Sequence, residues 1–248
     1  MKKFVLVGTQ RSGTTFIRHC LNSHDDILCH GELFFKNYPH EEGYFKQKET
    51  LLAGGLRHLL FRSSMVRRYL DCYYSRVGYQ AVGYKLMYAQ TRWIPYSFPA
   101  ALSYINDNAL SVIHVIRENV LKTHLSREVA RQRKVYHAQN KAEIKKIILD
   151  TGNLLNELNK IKAENIWWEK SFGNKDYLAI SYESFVANKE KESKKILDFL
   201  DVVNNQDLVS SNVKITSDIL SDVIENYADV VTCLKTSDFS YCLDSSNN

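Results

Sequence analysis

The sequence predicts an α/β fold, a central parallel sheet of about five strands flanked by helices. Two observations carry this. Short apolar runs recur at wide intervals, and between them lie stretches whose apolar residues return every three or four positions. Strands separated by helices need right-handed crossovers, so the strands run parallel and both sheet faces are covered. With 248 residues, 44% hydrophobic and 25% charged, the chain falls in the ordinary globular range. We therefore read residues 1–248 as a single domain with a substantial core.

The first strand is Lys3–Gly8, an apolar run closed by glycine. A helix follows over Thr14–Ser23. Ile27–His30 is the second strand, and a helical pattern lies within the stretch from Thr50 to Tyr74. Val82–Met87 is the third strand. Pro99 suits the first turn of a short helix reaching Asn106. Ser111–Ile116 is the fourth strand, and Asn119 is placed to cap a helix that runs to Val135. Ile144, Ile147, Ile148, Leu154, Leu155, Leu158 and Ile161 share helical spacing, which predicts a long helix through Gly152. Tyr177–Ser181 is the last strand, followed by a helix over Lys189–Leu200.

Composition narrows the function classes. No stretch approaches about 18 consecutive apolar residues, so neither a membrane span nor a signal peptide is expected. The five cysteines include no C-x-x-C pair, which argues for reduced thiols in a cytoplasmic protein rather than a disulfide framework or zinc site. No metal-ligand cluster appears. The net charge of +5 suits an anionic small molecule, and no nucleic-acid-binding signature accompanies it.

The first strand opens into Gly8-Thr9-Gln10-Arg11-Ser12-Gly13-Thr14-Thr15. Glycines allow backbone geometry that places loop and helix amides around one anionic group. Arg11 adds a permanent cation, and Thr14 and Thr15 add hydroxyls. An ATP-binding loop would carry lysine where Thr14 stands. In open α/β sheets ligands bind at the carboxyl ends of the strands, and this loop lies there.

Residues Gln10–Thr15 resemble the 5′-phosphosulfate loop of sulfotransferases, Pro-Lys/Arg-Ser/Thr-Gly-Thr-Thr, with Gln10 replacing the proline. Two further stretches follow in family order. "VIHVIRENVLKTHLSRE" is similar to the family's strand-arginine-helix-serine segment, with Arg117 and Ser126 as its 3′-phosphate residues. The spacing of nine is one longer than the family's commonest. "YLAISYESFVANKEKESKKILDFLDV" resembles the segment whose tyrosine, here Tyr182, lies against adenine. Lys214 corresponds to a basic loop closing over the 3′-phosphate. The resemblance covers residues 4–202. It implies a P-loop nucleotide-kinase-like fold and the co-substrate 3′-phosphoadenosine-5′-phosphosulfate (PAPS), held by Arg11, Ser12, Gly13, Thr14, Thr15, Arg117, Ser126, Tyr182 and Lys214, with no metal.

Sulfonyl transfer needs a base for the acceptor hydroxyl and donors for charge on the transferring and leaving oxygens. Arg11 and the loop amides suit the second task. Glu32, after the second strand, is the candidate base, matching the glutamate of bacterial carbohydrate sulfotransferases, which this chain resembles more than the phenol-type enzymes. His30 is the rival: two residues apart on a strand, the side chains would share a face. Lys85, a lysine in a strand apolar enough to be central, is a candidate for holding sulfonate or acceptor. Trp93, Tyr88 and Tyr96 could stack on a sugar, but core packing explains them as well. The acceptor expected is a small molecule or glycolipid, leaning toward a carbohydrate hydroxyl. The alternatives are a P-loop kinase or NTPase, and a non-catalytic adenosine-nucleotide-binding module.

Overall fold

A strand buried on both faces reads as a continuous apolar run, and Phe4–Val7 is such a run. In the structure, a computed structural model, it forms the middle of β1 (Lys2–Gly8), the centre of a five-stranded sheet. The structure describes residues 1–35, 40, 43–44, 46, 62–76, 78–90, 98–133, 146–172, 176–203, 206–209 and 219–243. The sheet order is β2-β3-β1-β4-β5, with β2 over Ile27–His30, β3 over Ala81–Met87, β4 over Ser111–Ile116 and β5 over Tyr177–Ser181. Every pairing is parallel. The fold class and all five strands agree with the sequence expectation.

The chain divides into two compact units. The first, Met1–Ile116 with Glu169–Ser210, holds the sheet. One of its faces is apolar. Phe4, Leu6, Ile113 and Ile180 pack with Ile17 and Cys20 of α1 (Thr14–Leu21) and with Phe185 and Ile196 from the segment after β5. Each such large side chain, fully buried, contributes roughly 1.5–3 kcal/mol. That segment holds two helices where the sequence suggested one. Ser181 caps α6 (Tyr182–Ala187) by accepting the Ser184 N–H at 3.2 Å. α7 (Lys189–Phe199) follows directly.

The opposite face is lined with tyrosines. Between these strands run α2 (Arg62–Tyr73) and α3 (Phe98–Asp107). Tyr73 donates to the Gly83 carbonyl at 2.5 Å, and Tyr74 to the Phe4 carbonyl at 2.7 Å. Tyr104 stacks on Tyr74 and donates to Asp71 at 2.8 Å. Their hydroxyls satisfy strand carbonyls and a carboxylate while the rings fill the core.

The second unit, Arg117–Trp168 with Ser211–Asn248, is mainly helical among its described residues. α4 (Val120–Arg133) starts as expected: Asn119 Oδ1 accepts the Lys122 N–H at 2.9 Å. Leu121 and Leu125 of α4 join Leu154 and Leu158 of α5 (Thr151–Phe172) and Val230 and Leu234 of α8 (Tyr227–Leu234). Here the sequence reading needs a correction. The helix through Gly152 begins at Thr151, so Ile147 and Ile148 lie outside it. Ile147 instead exchanges backbone hydrogen bonds with Val223 and Glu225 at 2.8 and 2.9 Å. Asp150 then accepts the Gly152 N–H, which fixes the start.

On the tyrosine face, His114 of β4 is fully buried and hydrogen-bonded at both ring nitrogens: Nε2 to the Tyr88 hydroxyl, and Nδ1 to the Tyr177 hydroxyl at 2.6 Å. A neutral imidazole donates once and accepts once, so one tyrosine accepts and the other donates. Burial pushes the His114 pKa down to about 4. Because the folded value lies below the unfolded one of about 6.5, the unfolded chain binds the proton first. We therefore expect folding stability to fall as pH drops from about 6.5 toward 4, by about 3 kcal/mol from this residue. Urea unfolding of wild type and His114→Gln across this range checks it. His124, also lowered by burial, acts in both proteins, so the difference curve isolates His114. Parallel curves would refute the assignment.

Candidate active site

The glycines that open and close the loop are required by crowding and by backbone angle. A Cβ on Gly8 would stand 2.5 Å from Thr14 Cγ2, 2.8 Å from Ser12 Oγ and 2.9 Å from the Val115 carbonyl. Gly13 has φ +95°, and a Cβ there would meet the Tyr182 ring at 2.2 Å. Between them Arg11 adopts φ 69°, a left-handed conformation that costs a side-chain-bearing residue about 1–2 kcal/mol. Such strain clusters where a ligand must be held. The loop turns on Thr9, whose carbonyl accepts both the Ser12 N–H at 3.3 Å and the Ser12 hydroxyl at 2.9 Å.

α1 starts immediately. Gly13 occupies its N-cap and supplies no capping side chain. The helix dipole there favours an anion by roughly 0.3–1 kcal/mol per charge. A tight glycine cradle, a helix N-terminus and the permanent charge of Arg11 together fit a phosphate or phosphosulfate group.

The sequence-nominated loop residues do different jobs. Ser12 is fully buried and commits its proton to Thr9, so it braces the loop. Thr14, also buried, turns its hydroxyl to the Met87 sulfur at 3.6 Å. Thr15 is the hydroxyl that meets a charged group. Lys85 Nζ donates to Thr15 Oγ1 at 3.0 Å and pairs with Glu32 Oε1, also at 3.0 Å. The Lys85 side chain is 8% exposed and that of Glu32 25%. Three elements therefore converge: the first turn of α1, the turn after β2, and β3.

The expectation that His30 and Glu32 share a face is corrected by this geometry. β2 ends at His30, and the Leu33 N–H bonds back to the Gly31 carbonyl at 3.0 Å. This tight turn interrupts the strand alternation. His30, in register with Tyr84, packs its ring on Tyr73 at 5.5 Å, on the tyrosine side. Lys85 follows Tyr84 in β3 and so points to the opposite face. Glu32 joins it there.

Tyr182 lies with its ring over Gly13 and edge-on to Phe16 at 6.1 Å. It touches the loop itself. Arg117 and Ser126 belong to the second unit. Arg117 directly follows the end of β4, is largely buried, and donates from Nη1 to the Lys122 carbonyl at 3.4 Å. Ser126 is buried in α4. Lys214, Trp93 and Tyr96 lie outside the described residues.

Sequence reasoning missed the support beneath β3. The Tyr88 N–H bonds the Gly8 carbonyl at 3.2 Å, and the buried Gln90 side chain accepts the Met87 N–H at 3.0 Å. These bonds hold the end of β3 against the start of the loop. A lone polar residue inside "SVIHVI" was the available signal for His114, and nothing in the residue pattern marked Gln90. Among the described residues no group of three or more His, Cys, Asp or Glu could hold a metal ion. No helix among them is long and apolar enough to cross a membrane.

Comparison with known proteins adds the family. The model of the sulfotransferase family matches residues 4–206. Among solved structures, the chain is similar to a sulfotransferase from Alicyclobacillus acidocaldarius, with 15% identity, 98% of each chain covered and a TM-score of 0.49. It is also similar to sulfotransferase STF9 from Mycobacterium avium, with 10% identity over 96% of this chain and 77% of that one, TM-score 0.49. A third is mouse sulfotransferase SULT7A1 complexed with PAP, with 12% identity over 97% and 87%, TM-score 0.49. No curated protein sequence matches the chain significantly.

The loop geometry sets a stability expectation. Gly13→Ala combines left-handed strain with a clash against Tyr182. In a Tyr182→Ala background the clash is absent, and the substitution should cost only the strain, about 1–2 kcal/mol. In wild type it should cost clearly more, and the two changes should couple. Urea unfolding of the four proteins checks this. Equal costs in both backgrounds would show that the ring does not rest on the loop.

Proposed function

This chain belongs to the sulfotransferase family, and on that premise we propose that it transfers the sulfonyl group of PAPS to a hydroxyl, with Glu32 as general base. The carrying observation is the Thr15–Lys85–Glu32 cluster, which joins a carboxylate to the anion-binding loop through one buried ammonium. The base sits on the acceptor side. It takes the acceptor proton as the acceptor oxygen attacks sulfur in line with the departing 5′-phosphate oxygen. Arg11 and the loop amides stabilise charge on the transferring and leaving oxygens. Ser12, Gly13 and Thr14 shape that cradle, and Tyr182 bounds it.

By the same reading Arg117 and Ser126, with Lys214, hold the 3′-phosphate. Lys85 contacts the sulfonate, and His30, which packs on Tyr73 on the other face of the sheet, is the rival for the base role. Residues 1–248 act as one sulfotransferase domain. A carboxylate base favours a sugar hydroxyl, so the acceptor class is a carbohydrate or glycolipid of the kind bacterial carbohydrate sulfotransferases modify. Five cysteines with no C-x-x-C pair suit a reducing cytoplasm. The loop's departure from the ATP pattern, Thr14 where lysine would reach the terminal phosphates, weighs against phosphoryl transfer.

Two measurements test this reading. PAPS and its desulfated product, adenosine 3′,5′-bisphosphate (PAP), should raise the melting temperature, while ATP with magnesium should do little. A larger shift with ATP–magnesium would overturn the co-substrate assignment. In turnover assays against carbohydrate and glycolipid extracts, Glu32→Gln should lower the rate roughly 10²-fold or more without weakening nucleotide binding. His30→Asn should keep most activity. Arg117→Ala should raise the Kd for PAP, since a 3′-phosphate contact is present in ground and transition states alike. A dead His30→Asn beside an active Glu32→Gln would transfer the base role to His30.

A further inference from the structure

Lys85 is the only lysine buried among the described residues. Buried ammonium groups are rare without partners, and this one has two of different kinds. Thr15 Oγ1 belongs to the loop end of α1, and Glu32 Oε1 follows β2. An ammonium has three donors, so it can serve both sides at once. Its stem is fixed within β3, every residue of which is buried, and the Lys85 N–H bonds the Gly31 carbonyl at 3.3 Å. The charge is held at one position, and only its partners can change.

We infer that Lys85 is a charge handed from the base to the anion site as Glu32 becomes protonated. The inference rests on the sulfotransfer reading above. Before reaction the Glu32 carboxylate and the Lys85 ammonium form a neutral pair, and the ammonium's pull on the loop side is largely cancelled. During transfer the acceptor O–H proton passes to Glu32. The acceptor oxygen's electron pair forms the new O–S bond. The S–O bond to the 5′-phosphate breaks, and its electron pair stays on the phosphate oxygen. Protonation removes the negative partner of Lys85. Its positive charge then acts on the Thr15 side, where the loop holds the developing anion. No side chain has to travel: the proton's arrival redirects an existing field, which is preorganised electrostatic stabilisation. Base and anion site are thereby coupled, each affecting the other's ligand by the same factor.

Glutamine at position 32 imitates the protonated base, so the coupling is readable in a binding experiment without turnover. PAP is titrated calorimetrically into wild type, Glu32→Gln, Lys85→Met and the double variant. Glu32→Gln should bind PAP roughly 5-fold or more tightly than wild type, and Lys85→Met more weakly. In the Lys85→Met background, Glu32→Gln should change the Kd by less than about 2-fold. A Glu32→Gln protein that binds no tighter overturns the handoff. So does a gain that persists in the Lys85→Met background, since removing a nearby negative charge would then explain it alone. Should Lys85→Met fail to fold, Lys85→Arg takes its place; it keeps the charge and should keep the gain, and loss of the gain would overturn the inference. Wild-type protein that binds no PAP at all would sink the PAPS reading itself, which separates the two failures.

Discussion

The parallel register between β1 and β3 is the constraint on which the site depends. Seven residue pairs, from Lys2 beside Ala81 to Gly8 beside Met87, fix where each side chain of β3 meets the loop that β1 feeds. This register sets Lys85 beside Leu6, on the same face as α1. The Tyr88 N–H continues the ladder to the Gly8 carbonyl. A slip of one residue would turn Lys85 toward the tyrosine layer and Tyr84 toward Thr15. A buried charge without partners costs far more than a hydroxyl without them, so electrostatics and packing select the same register.

The two faces of the sheet divide the work. The face carrying α1 joins an apolar core to one ionic cluster at its carboxyl end, where Lys85 meets Thr15 and Glu32. The other face is polar in its parts yet buried. Tyr73 and Tyr74 bond strand carbonyls, and His114 bonds both Tyr88 and Tyr177. Burial raises the Tyr73 and Tyr74 pKa values well above normal. These hydroxyls keep their protons at any ordinary pH and serve as structural donors. The ammonium and the carboxylate of the candidate site stand on the α1 side.

The central strands were legible in the sequence because parallel strands buried on both faces become largely apolar runs, broken in β3 by Lys85 and in β4 by His114. The loop was legible for a related reason: Gly8 and Gly13 stand where no Cβ fits or where φ is positive. What stayed hidden depended on the main chain. Ile147 and Ile148 have helical spacing, but backbone bonds to Val223 and Glu225, distant in sequence, hold Ile147 out of the helix. Glu32 escapes the alternation of β2 because the bond from the Leu33 N–H to the Gly31 carbonyl turns the chain around it. The short helix α6 was concealed by its length, although its Ser181 cap was present in the sequence. Residue patterns report which side chains seek the core. They do not report a single turn that re-aims one carboxylate.

The sheet order also bears on how the chain acquires its fold. β1 precedes the other strands in sequence yet ends at the sheet's centre, between β3 and β4. Its neighbours lie at Ala81–Met87 and Ser111–Ile116. At translation speeds of about 5–20 residues per second, the run Phe4–Val7 waits on the order of 5–20 s for its second partner. Until β3 is made both of its backbone edges can pair with another strand, including β1 of a neighbouring nascent chain, and until β4 is made one edge still can. Closing such distant parallel pairings is intrinsically slow. The topology that gathers loop, ammonium and carboxylate therefore makes the central strand the part of the molecule most exposed to misassembly while it is being made.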